Sequence, residues 1–127
     1  MKKVEHDLLT EKYTKVYHEE HFTNFAPHHF VVVSESETGS KNVLSEIHFQ
    51  EGPIKEVGVN GVMNEDLIAM VITRLEHFNQ SEFRCRENSM AITKLDEALL
   101  WLRKRTMGRE KHGIEGTHEV LPIRTKN

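Results

Sequence analysis

A single cysteine, Cys85, excludes an intramolecular disulfide and any cysteine-based zinc cluster. No apolar run approaches the roughly 20 residues that a spanning helix needs, so no membrane partner is expected. No apolar stretch follows the basic Met1-Lys2-Lys3 either, and no secretory signal is expected. A basic excess is also missing: 17 Lys and Arg stand against 20 Asp and Glu, a net charge of −3. General nucleic-acid binders carry a clear basic surplus, so DNA is not an expected partner. Catalytic signatures are absent as well. There is no G-x-S-x-G, Walker A or Rossmann fingerprint, and Cys85 has no His or Asp in a matching arrangement, so it reads as a structural or exposed thiol. His18-Glu19-Glu20-His21 is not the zincin pattern, because its histidines are three apart and no third ligand is placed. His28 and His29 precede a strand and would point to opposite faces. The histidines therefore read as surface or interface polar groups, and neither metal nor cofactor is expected.

What remains is an ordinary polar domain of 127 residues, 37% hydrophobic and 29% charged, large enough to bury a core. Residues 1–28 form a variable N-terminal segment. Leu8, Leu9, Tyr13, Val16 and Tyr17 are spaced loosely like a helix, while Tyr13, His21 and Phe22 equally suit an extended arm. Residues 29–62 read as a β-hairpin and a Gly-rich loop. His29–Ser34 is aromatic and β-branched, as strands are. Turn chemistry at Glu37–Asn42 follows, then a second strand over 43–50 with an irregularity at Glu46/Ile47. Gly52-Pro53 breaks it, and Ile54–Val62 is a loop carrying an Asn-Gly turn signal.

Residues 63–127 hold two amphipathic helices and a tail. Asn64 is the expected N-cap of a helix over about 65–78, with Leu67, Ile68, Val71, Ile72, Leu75 and Phe78 at helical spacing. The second helix is expected over about 87–107, its stripe being Ile92, Leu95, Leu99, Leu102 and Thr106, with Gly108 and Gly113 marking its end. A short link between them implies an antiparallel hairpin. The expected fold is α+β: a small antiparallel sheet followed by a two-helix hairpin. Trp101, Arg105 and Arg109 are spaced by four on the second helix. Arginines and an aromatic on one face can grip a nucleotide. A charged last turn with Trp101 in the core is the alternative.

The run Phe49–Val62, leading into Asn64-Glu65-Asp66-Leu67-Ile68, together with Cys85-Arg86-Glu87-Asn88 and Gly113–His118, resembles the first Thoeris anti-defence family of phage sponge proteins. The resemblance covers about residues 29–118. It implies an activity without catalysis: sequestering, in the cytoplasm of an infected bacterial host, a cyclic ADP-ribose isomer such as glycocyclic ADP-ribose that a TIR-domain enzyme makes as an alarm. The helix hairpin is similar to that of sponges for cyclic oligonucleotides, and some members carry a second site for cyclic di- or trinucleotides. The resemblance also implies assembly as a homodimer or hexamer.

Family positions fall on Phe78, suited to stacking on adenine, Asn88, suited to reading a base edge or ribose, and Arg105, suited to pairing with the pyrophosphate. Arg109, one turn on, is a candidate second phosphate contact. Gly116, Thr117 and His118 are the candidates for the second site, offering backbone N–H groups and a hydroxyl where subunits meet; a merely polar tail is the alternative. Asn88 and Arg105 are seventeen residues apart on one helix, roughly 25 Å at ~1.5 Å per residue. One ligand touching Phe78, Asn88 and Arg105 therefore needs Arg105 from a second subunit, and so a dimer. An enzyme that cleaves the same signal, or a helix-hairpin protein-interaction module, are the competing classes.

Overall fold

A computed structural model describes residues 1–36 and 38–121 of the chain. Glu37, within the expected turn, and residues 122–127, within the expected tail, lie outside the described residues. Two compact units emerge, Met1–Gly52 with Val59–Val62, and Pro53–Gly58 with the chain from Met63 onward.

The first unit is a four-stranded antiparallel meander of order β1-β2-β3-β4. Its strands are β1 (Lys2–Lys3), β2 (Thr14–His18), β3 (His29–Glu35) and β4 (Lys41–His48). The helical spacing seen in residues 8–17 is not used. Val16 and Tyr17 instead pair with Val32 and Val31, so the N-terminal segment supplies half of the sheet's strands. An edge β3 would leave the valines of His29-Phe30-Val31-Val32-Val33 half-covered, and β2 removes that edge. Val31 and Val33 become the buried centre of the unit. On the opposite face of the pleat Phe30 packs edge-on against Phe49, with ring centroids 5.4 Å apart.

The irregularity in β4 falls at Leu44 rather than Glu46/Ile47. Val32 pairs with Ser45 and Val33 with Val43, so Leu44 is the extra residue of a bulge. Two arms of chain are then pinned by carboxylates. Glu19 accepts the backbone N–H groups of His28 (2.7 Å) and His29 (3.0 Å). Desolvation pushes the Glu19 carboxyl up, but those two bonds outweigh it and hold it below the usual value. Glu35 is likewise held low, first by its bond to Lys15.

In the second unit, the expected loop opens with one helical turn, α1 (Ile54–Val57). Pro53 carries the fixed φ that suits a helix entrance. α2 (Asn64–Asn79) and α3 (Arg86–Lys111) form the hairpin. The N-cap of α2 is Met63, one residue earlier than expected. Asp66 Oδ2 accepts the Met63 N–H (2.8 Å), while the Met63 carbonyl accepts the Asp66 N–H (3.1 Å), so Asn64 is already helical.

α3 runs through Gly108, because a lone glycine costs a helix only about 1 kcal/mol. It stops at Gly113, whose φ is +71°. There Gly113 N–H donates to the Glu110 carbonyl and Ile114 N–H to the Arg109 carbonyl, the paired bonds of a Schellman motif. Ile114, the hydrophobic residue that accompanies such a stop, is buried. Ile92, Leu95, Leu99, Leu102 and Thr106 are all half-buried on one stripe of α3. Only Ile72 is buried within the two long helices.

Candidate functional site

The hairpin turn brings the first two candidate residues to one end. Asn79 closes it: its Oδ1 accepts the Cys85 N–H (3.2 Å), and its Nδ2 donates to Ser89 Oγ (2.9 Å). Asn79 adjoins Phe78 and Ser89 adjoins Asn88, so this clasp places both candidate residues at the same end. Sequence reasoning missed Asn79. Replacing it with alanine is expected to lower stability by about 1–2 kcal/mol in urea unfolding, since it removes both the acceptor of the Cys85 N–H, at the N-cap of α3, and the bond to Ser89.

Phe78 is exposed at the end of α2 and Asn88 is half-buried in the first turn of α3. The Arg74 guanidinium lies 5.2 Å from the Phe78 ring centroid. This arginine was also missed, although its i, i+4 spacing from Phe78 was readable. Arg105 is exposed at the far end of the same unbroken helix. The structure therefore keeps it about 25 Å along α3 from Asn88. Trp101 is 60% exposed and not in the core, with Lys104 Nζ 4.9 Å from its ring.

Arg109 points elsewhere. Its Nη2 donates to the carbonyls of Ile114 (3.3 Å), Thr117 (3.0 Å) and Glu119 (2.8 Å), and so winds the tail onto the end of α3. Gly116, Thr117 and His118 are part of that tail. Thr117 donates both its N–H (3.1 Å) and its hydroxyl (2.6 Å) to the Ile114 carbonyl. His118 N–H donates to Glu56 Oε2 (2.9 Å), and His118 Nδ1 lies 2.7 Å from Glu56 Oε1. Lys55 reinforces the attachment: its N–H donates to the Gly116 carbonyl (2.9 Å) and its Nζ pairs with Glu115 (3.3 Å). Gly116 has φ +77°, and a Cβ there would sit 2.9 Å from Lys55 Cγ, so both conformation and space favour glycine. Of the donors that the sequence offered to phosphates, those of His118 thus go to the Glu56 carboxylate and both of Thr117 go to the Ile114 carbonyl.

The Glu56 carboxyl is held below its ordinary value of 4.5, first by the His118 N–H and then by the His118 side chain. Its contribution to tail docking is present above that ordinary value and is lost as pH falls through the depressed one. The His118 amide resonance is expected to shift over that acid range in the wild type. In Glu56→Gln it should not titrate.

A family model described as the Acb2/Tad1 hairpin domain matches residues 41–107. A relative named Thoeris anti-defense 1, from Bacillus phage SBSphiJ7, is 51% identical over 141 aligned positions, covering 94% of this chain and 99% of the relative. The chain belongs to the Acb2/Tad1 family. The family match spans β4, α1, α2 and nearly all of α3, and so includes Phe78, Asn88 and Arg105. Arg109 and the 116–118 tail lie beyond that match. Among the described residues no helix is long and apolar enough to cross a membrane.

Proposed function

We propose that this protein is a phage anti-defence sponge. It captures a cyclic ADP-ribose isomer, glycocyclic ADP-ribose in the first instance, in the cytoplasm of the infected host and releases it uncleaved. The observation that carries this reading is the near-complete match to a phage protein named for Thoeris anti-defense. Site chemistry supports it. Phe78 offers a ring to a base, Asn88 an amide to a base edge or ribose, and Arg105 a guanidinium to a pyrophosphate. None of these three is a general acid or base at neutral pH, which favours binding over turnover.

The pocket is built by two subunits, Phe78 and Asn88 from one and Arg105 from the other. α3 supports self-association. Leu100, Trp101 and Met107 are 67%, 60% and 54% exposed, off the stripe that meets α2. Large apolar side chains in such number on one helix favour a protein partner. The tail residues Gly116, Thr117 and His118 serve cyclic di- or trinucleotides only where Glu56 releases His118 and Thr117 leaves the Ile114 carbonyl, in the larger hexameric assembly.

The test is calorimetric titration with glycocyclic ADP-ribose, followed by heating and chromatography of what is released. One ligand per chain, recovered intact, is expected. Recovery of a cleaved product would assign an enzyme instead, and absence of any binding would overturn the ligand assignment.

A further inference from the structure

The β3–β4 register gathers three side chains that the proposed ligand site does not use. His29 opens β3, His48 closes β4, and the two are cross-strand partners. Their rings stack with centroids 4.1 Å apart and planes 11° from parallel. Glu46 lies two residues before His48, so the pleat points its carboxylate to the same face. Donor atoms of His29, Glu46 and His48 all lie within 4.8 Å of one another. His29 Nε2 is buried and has no hydrogen-bond partner among the described residues. A buried polar nitrogen in that condition carries a desolvation cost that some partner normally offsets.

We propose that His29, Glu46 and His48 form a binding site for a divalent transition-metal cation, zinc foremost. Two imidazoles and one carboxylate are donors of the right kind: they suit zinc, nickel and copper, whereas magnesium and calcium take oxygen donors. Three protein ligands leave a fourth tetrahedral position for water. Drawn about 1 Å closer, into hydrogen-bond reach, Glu19 would supply the outer support that metal-binding histidines usually have. Its Oε2 lies 4.0 Å from His29 Nδ1, and its carboxylate is fixed by the backbone N–H groups of His28 and His29. That leaves Nε2 of His29 to face the metal.

Tetrahedral zinc with bonds of about 2.0–2.1 Å wants donors about 3.3 Å apart. Capture therefore draws the donors inward and turns the exposed His48 ring out of its stack, while the half-buried His29 stays in place. The hydrogen-bonded sheet holds the three Cα atoms fixed, which is the kind of rigid platform a metal site needs. No pair of these ligands is recognisable as a local motif except Glu46-x-His48, because His29 arrives from the neighbouring strand.

The experiment uses the tag-free full chain, stripped with chelator and titrated with zinc chloride against a chromophoric chelator, near neutral pH where imidazole is free to bind. Cobalt(II) serves as a spectroscopic stand-in. The expected result is one zinc per chain and a visible cobalt band of four-coordinate intensity. His48→Ala and Glu46→Gln should each weaken zinc binding at least about 10-fold. Both residues are exposed, so the fold should survive, as circular dichroism would verify. His77→Ala, on α2, should leave binding unchanged. Zinc should also raise the melting temperature of the wild type and not that of His48→Ala. Equal zinc affinity in wild type and His48→Ala, or equal loss in His77→Ala, would mean scattered binding by the nine histidines and would overturn the site. So would wild-type protein that binds no zinc.

Discussion

Arg105→Glu is expected to abolish capture of glycocyclic ADP-ribose, weakening it by at least about 100-fold, or about 3 kcal/mol, in calorimetric titration. A guanidinium that pairs with a pyrophosphate forms charge-assisted, two-pronged bonds, and a carboxylate in its place both removes them and repels the ligand. The fold should be untouched, because Arg105 is exposed and no carboxylate pairs with it among the described residues. Arg105→Lys should fall between, keeping the charge and losing the fork.

The same substitution tests where Arg105 acts. It stands about 25 Å from Asn88 along one helix, so the proposed pocket, if it uses both residues, borrows it from another subunit. Phe78→Ala and Arg105→Glu should each fail alone and partly rescue one another when mixed. Random re-pairing makes half of the dimers mixed, and each mixed dimer has one pocket with wild-type Phe78 and Arg105, or about a quarter of a site per chain. A mixture that binds no better than either variant would show that each pocket is built within one chain.

The parts of the fold that were legible are those whose signal is local. The stripes Leu67–Leu75 and Ile92–Thr106 mark the helices because each repeats with the helical period over several turns. β3 announced itself by three consecutive valines. β2 did not: Thr14-Lys15-Val16-Tyr17-His18 is short and mixed, and Leu8, Leu9 and Tyr13 set up a false helical spacing. Only its partner β3 makes it a strand, by offering the backbone groups it pairs with. The site divides in the same way. Phe78, Asn88 and Arg105 could be assigned to the hairpin by family pattern, and Arg74 by its spacing. Arg109 had the right spacing and still points elsewhere, because the carbonyls that claim it belong to the tail beyond Gly113. The Glu56–His118 contact joins residues 62 apart, for which no sequence period exists. The His29–His48 pair depends on strand register, which the bulge at Leu44 shifts by a residue.

Gly61→Ala should be strongly damaging, costing the sheet unit about 3 kcal/mol. The turn Asn60-Gly61-Val62 lies against the end of β4. Val62 N–H donates to the His48 carbonyl (2.8 Å), and Gln50 N–H to the Val62 carbonyl (2.8 Å). Asn60 binds the backbone of Glu51 in both directions, at 2.8 and 2.7 Å. A Cβ on Gly61 would stand 2.4 Å from the Phe49 carbonyl carbon, 2.5 Å from its oxygen and 2.6 Å from the His48 oxygen. Those are backbone atoms, which cannot rotate away as the tip of a side chain can, so the turn must separate from β4 and break these bonds. Gly39→Ala is the useful contrast. Gly39 has φ +86° but open space around it, so its replacement meets only the conformational cost of about 1–2 kcal/mol. The two tyrosines, Tyr13 and Tyr17, lie in the sheet unit and the single Trp101 lies in α3. In urea, the tyrosine near-ultraviolet signal of Gly61→Ala should therefore be lost at markedly lower denaturant than in the wild type. A tyrosine midpoint shifted no further than that of Gly39→Ala would mean that the turn can move off β4 without loss.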